Sequence, residues 1–488
     1  MPPIEEITAT PGGRSPLVSE ADLEKIHAGT LEVLEEAGVV VMHAGGLDLL
    51  EAAGASVERE TQIARIPAQV VEGCLAAAPS GFIMGSRDGA HDLRLGEGKL
   101  LSRNGGGPGH VQDLRSGQVR DALLSDVGDY ARLVDGLPGM NICAPIYPQD
   151  VSPAVRDLAA LLALFANTSK HINMRLLQVS SLPYVMEMAE IVGDSAEALR
   201  GRPPLTVLES PVAPLRIPDV LVETLLACGK RGIPVEICSM PIAGATGPVT
   251  LAGALLMSNV EMIASVVLSQ LANPGAPLIF TPRIMIMDLR SGYAMTGSVE
   301  NALLAAAGAQ LARRKYNLPV NVHGPYTDCV TSDAQAGIEN AYFTLLPALA
   351  GADILTGAGH LEGGLFVSYT QLMIDSEIIA VVRRLLEGLI VDDVSLGVDA
   401  VCRSLHSANL LTDPHTIANM RKIRHDQPTL IRRLSRQAWE KQGGFTMKDR
   451  AADMAARLLA SHQPAPLGAP VLKELNRVYA AAQKAAGL

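Results

Sequence analysis

The sequence predicts an α/β fold, a (β/α)8 TIM barrel with helical additions at both ends. From Lys99 onward, short β-like runs alternate with longer helical ones eight times, and strict βα alternation makes a parallel sheet with helical crossovers. The strand runs are nearly all apolar, as strands covered on both faces must be. Eight parallel strands also suffice to close a barrel, with a doubly wound open sheet as the alternative. The expected organisation is a helical cap with a small β element over residues 1–98, the barrel over 99–390 and a helical extension over 391–488. Between Leu100 and Leu386 no antiparallel strand is expected.

In order, the predicted strands run Leu100 to Asn104, Asn141 to Pro145, His171 to Arg175 and Leu205 to Glu209, then Pro234 to Ser239, Pro277 to Thr281, Pro319 to His323 and Asp353 to Thr356. Helices follow each: Ser125 to Leu137, one opened by Ser152-Pro153, Leu182 to Val192, Pro218 to Lys230, Val249 to Ala272, Ser298 to Lys315, Asp333 to Ala350 and Tyr369 to Leu386. Ser152-Pro153 supplies an N-cap and a proline at the first helical position. Before the barrel, Ala21 to Ala37, Leu47 to Ala53 and Ala68 to Ala78 read as helices, with a β element near Gly81 to Leu95. After it, Val394 to His406, Pro414 to Ile423, Thr429 to Gln442, Met447 to Ser461 and Pro470 to Ala486 read as helices. No internal repeat is evident.

Composition narrows the function. Hydrophobic residues are 48% of the 488, charged residues 19% and the net charge is −11; the chain supports a large core and offers no basic groove for nucleic acid. Met1 to Glu20 lacks the basic start and apolar run of a signal peptide. The apolar stretches Ile374 to Val382 and Leu251 to Leu271 carry Asp, Glu, Asn or Ser and read as buried helices, so no membrane span is expected. Six cysteines without a CxxC pair read as free thiols in a reducing cytoplasm. Aromatics make up only 3%, so any aromatic cage draws on few residues. A homo-oligomer is expected.

A barrel's active site lies at the C-terminal ends of its strands. Those positions offer Arg103, Asn104, Tyr147, Asn173, Arg175, Glu209, Ser239, Met240, Thr281, Arg283, His323, Tyr326, Asp328, His360 and Glu362. Each also has a bland role. Arg175 and Arg283 can pair with loop carboxylates, Glu209 can cap a helix and His360 can be a plain loop histidine. Ser332 with Gln335, and Ser368 with Gln371, read as S-x-x-Q capping boxes. His323, Cys329 and His360 lack zinc-ligand spacing, and no metal is expected.

The run Thr327-Asp328-Cys329-Val330-Thr331-Ser332-Asp333-Ala334-Gln335-Ala336-Gly337-Ile338-Glu339 resembles the corrinoid-dependent trimethylamine methyltransferase superfamily. So do Leu34 to Val39, Pro145 to Pro148, Gly244 to Gly253, and Ser368-Tyr369 to Ile374-Asp375; together they span about Leu31 to Ser435. The resemblance implies a barrel, a small methylated amine as substrate and a corrinoid (cobalamin) carried by a partner protein, with no tightly bound cofactor of its own. In the trimethylamine members a pyrrolysine lies just before the Asp-Ala-Gln run, where this chain has Val330, Thr331 and Ser332. The chain thus resembles the non-pyrrolysine branch, whose members act on glycine betaine and other quaternary amines.

On that reading the catalytic candidates are Asp328, His323 and Glu209. Substrate-binding candidates are Tyr326, Arg283, His360, Glu362, Tyr147, Asn173 and Tyr369. Ring faces from Tyr147, Phe280, Tyr293, Tyr326, Phe366 and Tyr369 suit a permanent cation; Glu209, Asp328 and Glu362 offer negative charge; Arg103, Arg175, Arg283, His323 and His360 can hold a carboxylate. The alternatives are a trimethylamine-specific methyltransferase, a barrel lyase or isomerase with a carboxylate–His pair such as Glu209 and His323, and a non-catalytic methylated-amine binder.

Overall fold

Strands of two to five residues build the centre of the computed structural model, which describes residues 17–406, 409–420 and 429–488. The barrel strands are β1 Leu101–Asn104, β2 Ile142–Cys143, β3 His171–Arg175, β4 Leu205–Glu209, β5 Val235–Ser239, β6 Leu278–Pro282, β7 Asn321–His323 and β8 Ile354–Ala358. They pair in parallel in the order β6-β5-β4-β3-β2-β1-β8-β7. A parallel bridge between Phe280 and Val320 joins β6 to β7 and closes the ring. The crossovers are α1 Leu124–Gly136, α2 Arg156–Asn167, α3 Leu182–Val192, α4 Asp219–Arg231, α5 Leu251–Ala272, α6 Val299–Gln310, α7 Ala334–Leu349 and α8 Tyr369–Leu386.

Antiparallel strands do occur within Leu100 to Leu386, contrary to expectation. They lie outside the barrel wall, in loops. His110–Gln112 pairs with Val119–Asp121, Met285–Asp288 with Tyr293–Met295, and His360–Leu361 with Phe366–Ser368. The first two hairpins turn on the same pentapeptide, Asp-Leu-Arg-Ser-Gly, at 113–117 and 288–292. In each, the Asp carboxylate accepts the backbone N–H two residues on, and a left-handed Gly (φ 71° and 73°) returns its N–H to the Asp carbonyl. Asp side chains and Gly are suited to these two places in a turn. The chain therefore does contain a short repeat.

The end of the barrel opposite its mouth is plugged. Phe82–Met84 pairs with Leu93–Leu95, and Met84 and Leu95 pack on Leu101, Ile142, Ile279 and Ile354. His171 clamps this plug, bonding the Gly85 carbonyl through Nδ1 and Thr206 Oγ1 through Nε2, both at 2.8 Å. The N-terminal helices Glu20–Glu36, Ala44–Ala52 and Ala68–Ala77 pack on α5. That contact explains why α5 is apolar all round: it is covered by β5 and β6 inside and by these helices outside. α5 is also the one described helix long and apolar enough to cross a membrane, and 72% of that stretch is buried inside the protein. Short strands at Val39–Val41, Ser56–Glu58 and Ile63–Arg65, not anticipated, join Arg216–Ile217 after β4.

At the C-terminus, Met447–Ser461 packs on α8 and α1, and Ala469–Ala485 on α3 and α2. The helix expected over Val394 to His406 is broken at Gly397 (φ 57°) into Asp393–Leu396 and Val398–Ser404. Of Thr429 to Gln442 only Arg436–Lys441 is helical, and of Pro414 to Ile423 the helix covers Pro414–Asn419; residues 421–423 lie outside the described residues, as do the first sixteen of Met1 to Glu20. The capping expectations divide. Ser368 accepts the Gln371 N–H at 3.2 Å, but the Gln371 amide donates to Asp375 instead of returning to the cap. Asp333, not Ser332, caps α7, accepting from Gln335 N at 2.8 Å; an ionised carboxylate outcompetes a hydroxyl one residue away.

Met84→Ala should lower the unfolding free energy by about 2–5 kcal/mol, since a fully buried methionine would leave a cavity under the barrel. Urea denaturation measures it, and an unchanged midpoint would show that the hairpin does not plug the barrel.

Candidate active site

The barrel interior holds a carboxylate that the strand-end reading passed over. Glu236, second residue of β5, is fully buried. Its Oε2 accepts from Asn173 Nδ2 at 2.6 Å and Arg103 Nη1 at 3.1 Å; its Oε1 accepts from Arg283 Nη2 and Asn321 Nδ2, both at 2.9 Å. Arg103 also donates to Asn173 Oδ1, and Thr356 Oγ1 donates to Asn321 Oδ1 at 2.8 Å. Donors from three strands, β1, β3 and β7, and from the loop after β6 thus meet on one anion. Two guanidiniums share one carboxylate, so the cluster keeps a net positive charge. Burial pulls Arg103 down to about 10, with Glu236 opposing. Burial also works against Arg283, but Cys238 and Glu236 more than offset it, and its pKa is raised. The Nε of each arginine is buried without a hydrogen-bond partner. A buried unpaired donor costs about 1–3 kcal/mol until something accepts from it.

Above this cluster is a cavity of about 170 Å³ at the C-terminal ends of the strands, lined by Arg103, Tyr147, Asn173, Arg175, Cys238, Arg283, His323, Tyr326 and His360, among others. Tyr326 stacks on His323 with ring centroids 4.1 Å apart and meets the edge of His360 at 5.1 Å. Glycines let this wall close up. A Cβ on Gly105 would lie 2.2 Å from His360 Cδ2, and one on Gly364 (φ 85°) would lie 2.2 Å from the Tyr326 hydroxyl. Asp375 of α8 secures the loop that carries His360. It accepts from Gly359 N at 2.7 Å, Asn340 Nδ2 at 2.7 Å and Gln371 Nε2 at 2.8 Å, and burial pushes its carboxyl up to about 7.

Of the residues singled out in the sequence, Tyr147, Asn173, Arg283, His323, Tyr326 and His360 line this cavity together. Glu209, Asp328, Glu362 and Tyr369 do not. Glu209 is buried beside Arg175 and the Leu176 backbone, and burial raises its carboxyl to about 7; as the residue after cavity-lining Leu208, it faces the other side of the strand. It therefore makes no catalytic pair with His323. Asp328 accepts Thr296 N at 3.0 Å and Gly297 N at 2.9 Å and so holds the loop before α6. Glu339 ties down the same stretch from α7, accepting from Thr327 Oγ1 and from Asp328 N at 3.0 Å. Glu362 is half-buried beyond the wall, and the Tyr369 hydroxyl donates to Asp126 at 3.2 Å. Tyr147 keeps its ring in the cavity while its hydroxyl donates to the Arg175 carbonyl at 2.6 Å. Phe280 packs on Tyr316, Tyr293 is on an exposed hairpin and Phe366 packs with Leu361 and Cys329. Arg175 lines the mouth, and its exposed guanidinium has no hydrogen bond or ion pair among the described residues.

Among the described residues, one group has ligand atoms close enough for a metal ion: His43, Asp219 and Glu223, none of which lines the cavity. His43 Nδ1 accepts from Gly46 N at 2.9 Å. Its proton is then on Nε2, aimed at Glu223 2.9 Å away, so neither ring nitrogen has a free lone pair for a cation.

Burial, then Arg283 and Arg103, hold His360 down to about 3; burial, Arg283, His360 and Arg103 hold His323 well below its ordinary range. Both rings are neutral at physiological pH. The unfolded chain takes up these protons first, near 6.5. The stability this contributes is complete above about that pH and is lost as pH falls toward the depressed folded values. Histidine nitrogen spectra at about pH 5, well below the ordinary value, should show both rings unprotonated; an imidazolium signal from either would contradict the charge assignment. Glu236→Gln should cost about 3–5 kcal/mol of stability in urea denaturation, because two buried arginines lose their anion. A cost below about 1 kcal/mol, typical of an exposed ion pair, would mean the cluster is solvated.

The family model for trimethylamine methyltransferase (MTTB) matches residues 7–487. Trimethylamine methyltransferase MttB of Desulfitobacterium hafniense is 32% identical over 461 residues, 94% of this chain and 92% of that protein. MttB of Methanosarcina thermophila is 32% identical, covering 94% of this chain and 96% of its own. A glycine betaine methyltransferase of Desulfitobacterium hafniense is 29% identical, covering 96% of this chain and 98% of its own. Among solved structures, the hydroxylamine complex of MtmB aligns with a TM-score of 0.50 at 12% identity, covering 90% of this chain and 93% of that one, a likeness of fold.

Proposed function

Since this chain belongs to the trimethylamine methyltransferase family, we propose that it is the member that takes a methyl group from a small quaternary amine bearing a carboxylate, of the glycine betaine type, and passes it to the Co(I) corrinoid of a partner protein. The relatives carry both substrate names at nearly equal identity, 32% and 29%. Their names do not choose between the amines; the charge of the cavity supports the carboxylated one.

The observation that carries this reading is the pair of arginines sharing one buried carboxylate, each with a buried, unbonded Nε. A lone ammonium held about 5 Å from the uncompensated positive charge would lose about 3 kcal/mol at an effective dielectric constant of 20. A carboxylate in the same place gains a similar amount and fills the empty donors. A zwitterion satisfies both ends: its carboxylate goes down to Arg103 and Arg283, and its methylated nitrogen rises past the rings of Tyr326 and Tyr147 toward the open mouth.

The reaction fits the same residues. The reduced corrinoid supplies the nucleophile; the methyl carbon gains a bond to cobalt and loses its bond to nitrogen. A quaternary nitrogen keeps that electron pair and departs as a neutral tertiary amine, so no acid is required. The neutral His323 and His360 are not called on to donate a proton to such a leaving group. The protein contributes orientation and exclusion of water. Val330, Thr331 and Ser332 are ordinary side chains where the resemblance puts pyrrolysine in trimethylamine enzymes, and they do not line the cavity.

Calorimetric titration of Arg283→Ala and Tyr326→Ala with glycine betaine and with tetramethylammonium tests the arrangement. Arg283→Ala should weaken glycine betaine about tenfold to a hundredfold, the worth of one charged hydrogen bond of about 1.5–3 kcal/mol, and leave tetramethylammonium unchanged or tighter. Tyr326→Ala should weaken both. Unchanged binding in both variants would remove the substrate from this cavity.

A further inference from the structure

Arg175 is the last residue of β3 and shares a strand face with Asn173, because alternate residues of a strand point the same way. Asn173 reaches inward to Glu236, and Arg175 stands two residues, about 6.6 Å, nearer solvent. Both line the cavity. The Arg175 guanidinium is exposed and makes no hydrogen bond or ion pair among the described residues. Glu209 feels its charge, yet Glu209 Oε1 stays buried without a hydrogen-bond partner. The neighbouring strand adds a second open group. β4 pairs in parallel with β3, and Ser210, just past the end of β4, lines the same cavity with a buried Oγ that has no hydrogen-bond partner. Arg175 and Ser210 thus leave donors open on the β3–β4 side of the mouth.

The loop after β1 shapes the opening differently. Gly106 and Gly107 also line the cavity and present bare backbone to it. A Cβ on Gly107 would meet nothing within 4 Å, so open space lies in front of it, and its φ of 108° is one that glycine alone adopts freely. A broad, flat molecule can come close to the backbone there.

The amine makes no use of these groups. Its carboxylate goes to Arg103 and Arg283 at the floor of the cavity, and its other end is a cation, which a free guanidinium repels. What Arg175 and Ser210 lack is a molecule that brings oxygen acceptors and arrives from outside the barrel. The methyl acceptor answers both requirements. A corrin carries acetamide and propionamide side chains around its rim. Their carbonyl oxygens can accept from Arg175 and Ser210 at the edge, while the flat face of the ring lies over the opening.

We propose that Arg175, with Ser210 at the neighbouring strand end, is the contact for the corrin rim: the guanidinium and the hydroxyl donate to its amide carbonyls and hold the ring over the mouth. The inference rests on the reading of this chain as a corrinoid-dependent methyltransferase. It does not depend on which amine lies at the floor of the cavity.

Equilibrium dialysis of the full chain against methylcobalamin, with no other protein present, reads this contact without turnover. The wild-type chain should bind it. Arg175→Gln should raise the dissociation constant about tenfold to a hundredfold, the worth of one charged hydrogen bond, and Arg175→Lys should recover part of the loss. Ser210→Ala should cost about twofold to tenfold, as a neutral hydrogen bond does. Calorimetric titration of Arg175→Gln with glycine betaine should show an affinity unchanged or tighter. A wild-type chain that takes up no methylcobalamin would overturn the proposal. Methylcobalamin binding indifferent to Arg175 would do the same and leave the arginine to the surface of the partner protein. Loss of glycine betaine affinity in Arg175→Gln would also overturn it, since Arg175 would then be holding the substrate carboxylate. Failure of the substrate reading looks different: glycine betaine would not bind the wild-type chain, while methylcobalamin would still separate wild type from Arg175→Gln.

Discussion

The Glu236 carboxylate is the point on which the barrel and its cavity both depend. A buried carboxylate is stable only if paired and hydrogen-bonded, because desolvation otherwise exceeds the Coulombic gain. Here two arginines and two asparagines supply four donors, two to each oxygen. The donors come from β1, β3, β7 and the loop after β6, so satisfying one group draws several strands into register. The pairing is also unequal. One negative charge answers two positive ones, and the surplus is what a ligand meets. Burial first, and then the same arginines, keep His323 and His360 neutral.

Around this charge the site is held from behind. Asp375 fixes the Gly359 backbone, Glu339 holds the Thr327–Asp328 turn, and Asp328 holds the Thr296–Gly297 turn. These carboxylates act on loop backbone and never face the cavity. The long signature from Thr327 to Glu339 is therefore largely a loop staple. It sets where Tyr326 stands against His323. A wall whose supporting groups are themselves bonded keeps its geometry before substrate arrives, which is what orientation-dominated catalysis demands.

The barrel was legible because its cue is local. A short apolar run followed by a helix period repeats eight times, and the eight expected strands lie within about two residues of those observed. The site was legible only in part. Strand-end position found His323, Arg283 and Asn173, but position does not tell which face a side chain takes, and Glu209 faces away. Glu236 was missed because it sits early in an apolar strand instead of at its end. A charged residue inside such a strand is itself a signal, since burial there requires a partner. The mouth hairpins were missed although Asp-Leu-Arg-Ser-Gly occurs twice. The segment after α8 read as helix by composition, and only its exposure separates it from a packed element.

The central proposal is that surplus positive charge selects a zwitterionic quaternary amine, whose methyl group passes to cobalt(I). The direct measurement is the absorbance of free cobalt(I) cobalamin mixed with the enzyme and, in separate cuvettes, with glycine betaine, tetramethylammonium or trimethylamine. The account predicts conversion to methylcobalamin fastest with glycine betaine, slower with tetramethylammonium and slowest with trimethylamine. Methylation from trimethylamine alone would contradict it.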